Sequence, residues 1–213
     1  MRNSFTSQAG LPGGQVRLSA VIVGCAVLAH ATTAFAHAEV GVAGGLVSGL
    51  LHPVMGMDHL VAMVAVGLWG AQLGQPALWL LPITFPMMMS MGALLGLAQV
   101  PLPFIEFGIA CSALALGLVV AGALRPPLWV AMALVAIFAI FHGHAHGTEV
   151  PDAANPLAYG VGFVLSTGLL HLAGILIGAL VDLPWGQKVV RGCGAVVAAA
   201  GLFFLAADLG WWS

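Results

Sequence analysis

Two short stretches of this chain gather most of its histidines. The first is His52-Pro-Val-Met-Gly-Met-Asp58-His59 and the second is Phe141-His142-Gly-His144-Ala-His146-Gly-Thr-Glu149. His52, His59, His142, His144 and His146 are five of only 8 histidines, in a chain that is 6% charged and 61% hydrophobic. Neutral imidazole with carboxylate is a borderline-hard donor set that suits Ni, Co, Zn or Mn better than Cu(I) or an alkali ion, and also admits Cu(II). In the first stretch Asp58 alone could be a helix cap, and His52 and His59 alone could be satisfied polar groups. All three within eight positions of an apolar run favour ligation. In the second stretch His142 and His146 stand at i and i+4, on one helical face, and Glu149 shares that face if the helix persists. His144 points elsewhere and is peripheral. A solvated polar helix end is the bland alternative for this stretch.

Ionisable groups at bilayer depth cost roughly 2.5–3.5 kcal/mol each and usually mark an ion or proton path. That rule applies because the surroundings read as membrane. The mean hydropathy of +1.09 over 213 residues places the chain among polytopic all-α membrane proteins. A formal net charge of −2 with no basic block argues against a nucleic-acid partner. Cys25, Cys111 and Cys193 lie in apolar runs without a paired motif, so Cys111 and Cys193 read as packing residues. Methionines 55, 57, 87, 88, 89 and 91 offer soft thioethers, but flexible packing is their commoner role.

The elements that must position the two stretches follow from the apolar runs. Residues 1–36 read as a secretory signal: Arg2 and Arg17 precede an apolar core, and Ala34-Phe35-Ala36 is an A-x-A cleavage site. Cleavage there would leave His37 at the new N-terminus. A lipobox-like run ending at Cys25 and an uncleaved first helix are the rival readings, and all three put residue 37 outside the cytoplasm. Residues 37–213 then form a single membrane domain. Spans are expected at about 76–99, 103–123, 127–147, 156–181 and 188–210, each with the ~20 residues that cross ~30 Å of hydrocarbon. Residues 39–74 are too long for one simple span. His52-Pro53 is expected to break them, leaving 39–51 as a shallow or re-entrant leg and Asp58 at the start of the crossing helix. Arg125, Lys188 and Arg191 face the cytoplasm by the positive-inside rule only if this segment crosses once. The outcome is about six transmembrane helices with both termini periplasmic. Both histidine stretches then lie toward the outer face, as does Glu106 at the start of a span. His171, with Ser166 and Thr167 one turn above it, sits mid-span and reads as a buried, hydrogen-bonded histidine. The glycines at 41, 45 and 49, and at 174 and 178, allow close helix packing.

At the two histidine stretches the chain resembles the HupE/UreJ family of nickel permeases. Their H-P-x-x-G-x-D-H and F-H-G-x-A-H-G-x-E signatures are met without a gap by His52 to His59 and by Phe141 to Glu149, and the likeness extends over the whole mature chain and the signal sequence. The resemblance implies uptake of Ni²⁺, with Co²⁺ as a second cargo, across the inner membrane for hydrogenase or urease maturation, with no prosthetic group. It also implies importance for His52, Asp58, His59, Phe85, Glu106, His146 and Glu149. Phe85, between the prolines of Pro82-Ile-Thr-Phe-Pro86, enters on the resemblance alone.

Together these readings give an outward-facing permease. His37, His142 and His146 capture the hydrated ion, and His52, Asp58, His59 and Glu149 replace its water. No Walker-type nucleotide motif is present in the sequence, so the expected drive is the membrane potential, with proton coupling through a histidine or Glu106 as the alternative. Two rivals differ in kind. A metal-sensing or storage protein would bind without flux. A His-box membrane metalloenzyme would want more histidine boxes, facing the cytoplasm. The H-E-x-x-H helix of a zinc protease is missing from the sequence.

Overall fold

A computed structural model describes residues 41–150 and 155–211. Among the described residues the chain is all helix, with no strand. Seven α-helices follow one another: α1 Gly41–Met55, α2 Met57–Leu73, α3 Ala77–Leu97, α4 Ile105–Ala121, α5 Leu128–Thr148, α6 Pro156–Gly178 and α7 Gly186–Asp208, with a 3₁₀ turn at Ala179–Asp182 before the last. Helices α3, α5, α6 and α7 are each long and apolar enough to cross a bilayer, α1 and α2 do so together as a broken span, and α4 is a shorter apolar helix. Its 17 residues sit at the lower end of the roughly 17–25 that a crossing takes. The protein is a multi-pass membrane protein with a broken first segment.

The break differs in place from the sequence expectation. Helix α1 runs through His52 and the buried Pro53 to Met55, and α2 leaves it at an angle of 81°. A proline forfeits one helical hydrogen bond and crowds the carbonyl four residues earlier, here that of Gly49. Close packing of α1 on α6, through Gly45 and Gly49 against Asn155 and Tyr159, holds that turn in place. The true corner is Gly56, in extended conformation with φ −82 and ψ 104. A side chain there would crowd His59 Nδ1 and Asp58 Oδ1.

Reciprocal glycines set the other approaches. Gly67 of α2 lies on the backbone of α6 at His171, and Gly174 of α6 on that of α2 at Val64. Gly143 and Gly147 of α5 lie on α3 at Met89 and Ala93, while Gly92 and Gly96 of α3 lie on α5 at Ile140 and His144. Without an oil-from-water driving force in lipid, such backbone-to-backbone contact is a main source of helix association. Helix α2 is the centre of the bundle and packs against α3, α4, α6 and α7. The Gly143→Ala variant is expected to lower the thermal unfolding midpoint in detergent and to reduce metal uptake. Its methyl group would meet the Met89 carbonyl, an overpacking worth about 1–3 kcal/mol, and the displaced helix carries His142 and His146. Gly160→Ala, at a position open for 4 Å around, should change neither. Equal midpoints for the two variants would refute this reading.

Among the described residues, one end of the bundle collects the basic side chains. Arg191 Nε donates to the Ala121 carbonyl at 2.7 Å, Gln72 Nε2 to Val120 at 3.1 Å and Trp69 Nε1 to Leu124 at 3.1 Å. These bonds satisfy carbonyls at and just beyond the C-terminus of α4. Arg125 and Lys188 lie at the same end by connectivity. Exposed Trp79, Trp129 and Trp185 at the starts of α3, α5 and α7 ring it, as interfacial tryptophans do. The histidine stretches lie at the opposite end.

Candidate metal centre

Three ligand atoms, from His52, His146 and Glu149, lie within 4.8 Å of one another. His52 comes from the last turn of α1, His146 from the last turn of α5, and Glu149 caps α5 in a nearly helical conformation. Helix therefore persists far enough for Glu149 to share the His146 face. His52 Nε2 stands 3.1 Å from Glu149 Oε2, and His146 Nδ1 stands 3.5 Å from the same oxygen. The His146 and His52 imidazoles beside it hold the Glu149 carboxyl well below the usual carboxylate range, so it is ionised at any physiological pH. Nitrogen and oxygen ligands sit roughly 2.0–2.2 Å from a first-row divalent ion, so two of them span at most about 4.4 Å. The three atoms lie within a few tenths of an ångström of that limit.

Asp58 and His59 stand beside this triad as a pair. Asp58 Oδ1 accepts from the His59 backbone N–H at 2.9 Å and stands 2.9 Å from His59 Nδ1. That contact leaves His59 Nε2 buried without a protein partner. His52 meets Glu149, 97 residues away, rather than Asp58, its near neighbour in sequence. The two histidine stretches meet all the same. The His59 ring lies 4.2 Å from that of His146 and 4.6 Å from that of His142, and His52 lies 4.8 Å from His146. His142 is fully buried, with Ser112 Oγ 2.8 Å from its Nε2. Below it comes Phe85, its ring 5.5 Å from His142 and wholly inaccessible. The imidazoles thus descend from the bundle end toward its interior, with His146 and His142 one turn apart on α5 and His59 of α2 against both.

Glu106 opens α4 near this end, within electrostatic range of Asp58, Glu149 and His59. It is exposed and not part of the triad. His144 turns away, its Nε2 2.7 Å from the Val100 carbonyl, and ties α5 to the α3–α4 loop. His37, Cys25 and the signal-like residues 1–36 lie outside the described residues. The sequence reading missed two side chains of α6. Tyr159 and Phe163 wall the triad: His146 lies 4.1 Å from the Phe163 ring and His52 5.9 Å from that of Tyr159. Tyr159 is the only tyrosine of the chain, and its i,i+4 relation to Phe163 was the available signal. Ser112 was missed too, with nothing local to mark it.

The family match covers both histidine stretches. The HupE / UreJ protein family matches residues 25–204. This chain belongs to the HupE/UreJ family. It is 43% identical over 178 residues to Protein HupE of Rhizobium leguminosarum bv. viciae, covering 83% of this chain and 93% of that protein. No solved structure matches the chain. HupE/UreJ is a family of membrane transporters, which fits a histidine-lined descent into the bundle better than it fits an enzyme.

Proposed function

We propose that this HupE/UreJ protein is a permease that carries Ni²⁺, with Co²⁺ as a second cargo, across the inner membrane into the cytoplasm to supply hydrogenase or urease maturation. The observation that carries the proposal is the continuous contact from Glu149, His52 and His146 through His59 to His142 and Phe85. Each step down to His142 offers neutral imidazole or carboxylate, so a dehydrating ion exchanges one nitrogen or oxygen donor for the next until it reaches the Phe85 ring. The basic end of the bundle faces the cytoplasm under the positive-inside rule, which puts the triad on the periplasmic side together with both termini. A potential of 100 mV, negative inside, favours inward movement of a doubly charged ion by about 4.6 kcal/mol. Facilitated diffusion needs no further source.

Purified protein in liposomes with an entrapped nickel-quenched dye should show saturable Ni²⁺ entry that rises when the interior is made negative. Saturable binding without entry would favour a sensor or store and would end the permease reading.

A further inference from the structure

His171 lies beyond Phe85, and the transport path described so far makes no use of it. It is on α6, 1% exposed, with its ring 5.4 Å from that of Phe85 and nearly perpendicular to it. Phe85 therefore contacts two imidazoles from different helices, His142 of α5 and His171 of α6. Neither ring nitrogen of His171 makes a well-formed hydrogen bond, and one turn earlier on α6 the buried Thr167 Oγ1 has no partner either. Buried polar groups are rarely left so, because each unmade hydrogen bond costs free energy comparable to the bond itself.

A backbone carbonyl that interacts with the His171 side chain is also short of a helical partner. The His171 ring faces the Pro82 carbonyl of α3. In an ordinary helix that oxygen would accept from the N–H four residues on, but residue 86 is the second proline within α3 and has none. The Pro82-Ile-Thr-Phe-Pro86 segment thus does two things at once. It frees a carbonyl toward His171, and it carries Phe85 on the intervening turns. Backbone carbonyls released within broken or proline-bearing membrane helices are established cation ligands.

We propose that His171 and the freed Pro82 carbonyl form a second, inner station for the divalent ion, separated from the outer His52–His146–Glu149 centre by the Phe85 ring. The proposal rests on the permease reading and adds to it a site reached only after the ion has passed His142. Such a station would hold an ion by one imidazole and one neutral oxygen. That is weaker than the carboxylate-bearing outer centre, as release toward the cytoplasm requires.

The test uses the whole chain in liposomes with Ni²⁺ and Cd²⁺ as probes, and equilibrium Ni²⁺ binding in detergent as a second readout. His171→Asn should lower Ni²⁺ flux by about tenfold or more, on the scale of losing one supporting ligand, while binding at the outer centre stays at the wild-type level. Pro86→Ala gives α3 back its hydrogen bond to the Pro82 oxygen. It should lower flux in the same direction without any risk to the helix. His171→Cys should raise the ratio of Cd²⁺ to Ni²⁺ flux, because thiolate is the softer ligand. Wild-type flux in both His171→Asn and Pro86→Ala would overturn the inner station. An equal fall for both metals in His171→Cys would do so as well, since it would mark a packing role. A wild-type protein that binds Ni²⁺ but passes none would instead overturn the permease reading, and the inner station with it.

Discussion

Replacing Asp58 with Asn is expected to cut Ni²⁺ uptake by about 10–100-fold, the usual cost of losing a carboxylate that supports a metal-binding histidine. The two side chains have nearly the same shape, so the bundle should fold unchanged. What changes is the grip on His59. Asp58 Oδ1 lies 2.9 Å from His59 Nδ1 and accepts the His59 backbone N–H at the same distance. An ionised carboxylate fixes the proton on Nδ1, turns Nε2 into the free donor and raises its basicity. His59 Nε2 is buried with no protein partner, and the ring lies between those of His146 and His142. An asparagine can present its N–H to the same nitrogen and so favour the wrong tautomer, while the negative charge beside the path is gone. Radioactive nickel uptake at matched expression measures the effect. Uptake equal to wild type would remove Asp58 and His59 from the path.

Much of the arrangement was legible in the sequence, for reasons that differ by residue. The apolar runs gave the spans because a bilayer demands length before anything else. The basic residues gathered at one end as expected, since alternating helices send every second loop to the same side. Asp58 was readable as a helix start, and the i,i+4 relation of His142 and His146 survived because it is local. The partner of His52 was not readable. Its contact with Glu149 spans 97 residues, and the local geometry of Pro53 suggested a different turn. Proline's cost of about 3 kcal/mol in a helix is offset here by packing against α6, which no window of α1 reveals. The role of Gly56 as the corner was not readable either, since it shows only in the crowding of Asp58 and His59 around it. Phe85 shows the limit most plainly. Its position between two prolines says nothing of the imidazoles on two other helices that its ring contacts.

His146→Ala should have a larger effect than Asp58→Asn, since it removes a ligand rather than a support. Loss of saturable Ni²⁺ binding by about a hundredfold or more is expected, at or beyond the upper end of what a missing supporting group costs. The His146 ring is 3% exposed and touches His52, His59 and Phe163, with Nδ1 3.5 Å from Glu149. It joins the outer triad to the imidazoles below. His146 also lines an apolar cavity of about 520 Å³ between α3, α5 and α6, whose other walls include Met89, Leu94, Tyr159 and Phe163. Truncation to alanine would join the centre to that cavity, so lost binding needs separating from lost packing. His146→Gln keeps most of the volume and one polar atom, and it should bind almost as poorly as His146→Ala while unfolding at the wild-type temperature. A double-variant cycle with Glu149→Gln adds a second criterion. Ligands of one ion act as a unit, so the two losses should be far from additive. Additive losses would mean that His146 and Glu149 do not share an ion, and that the centre must be sought around His59 and His142 instead.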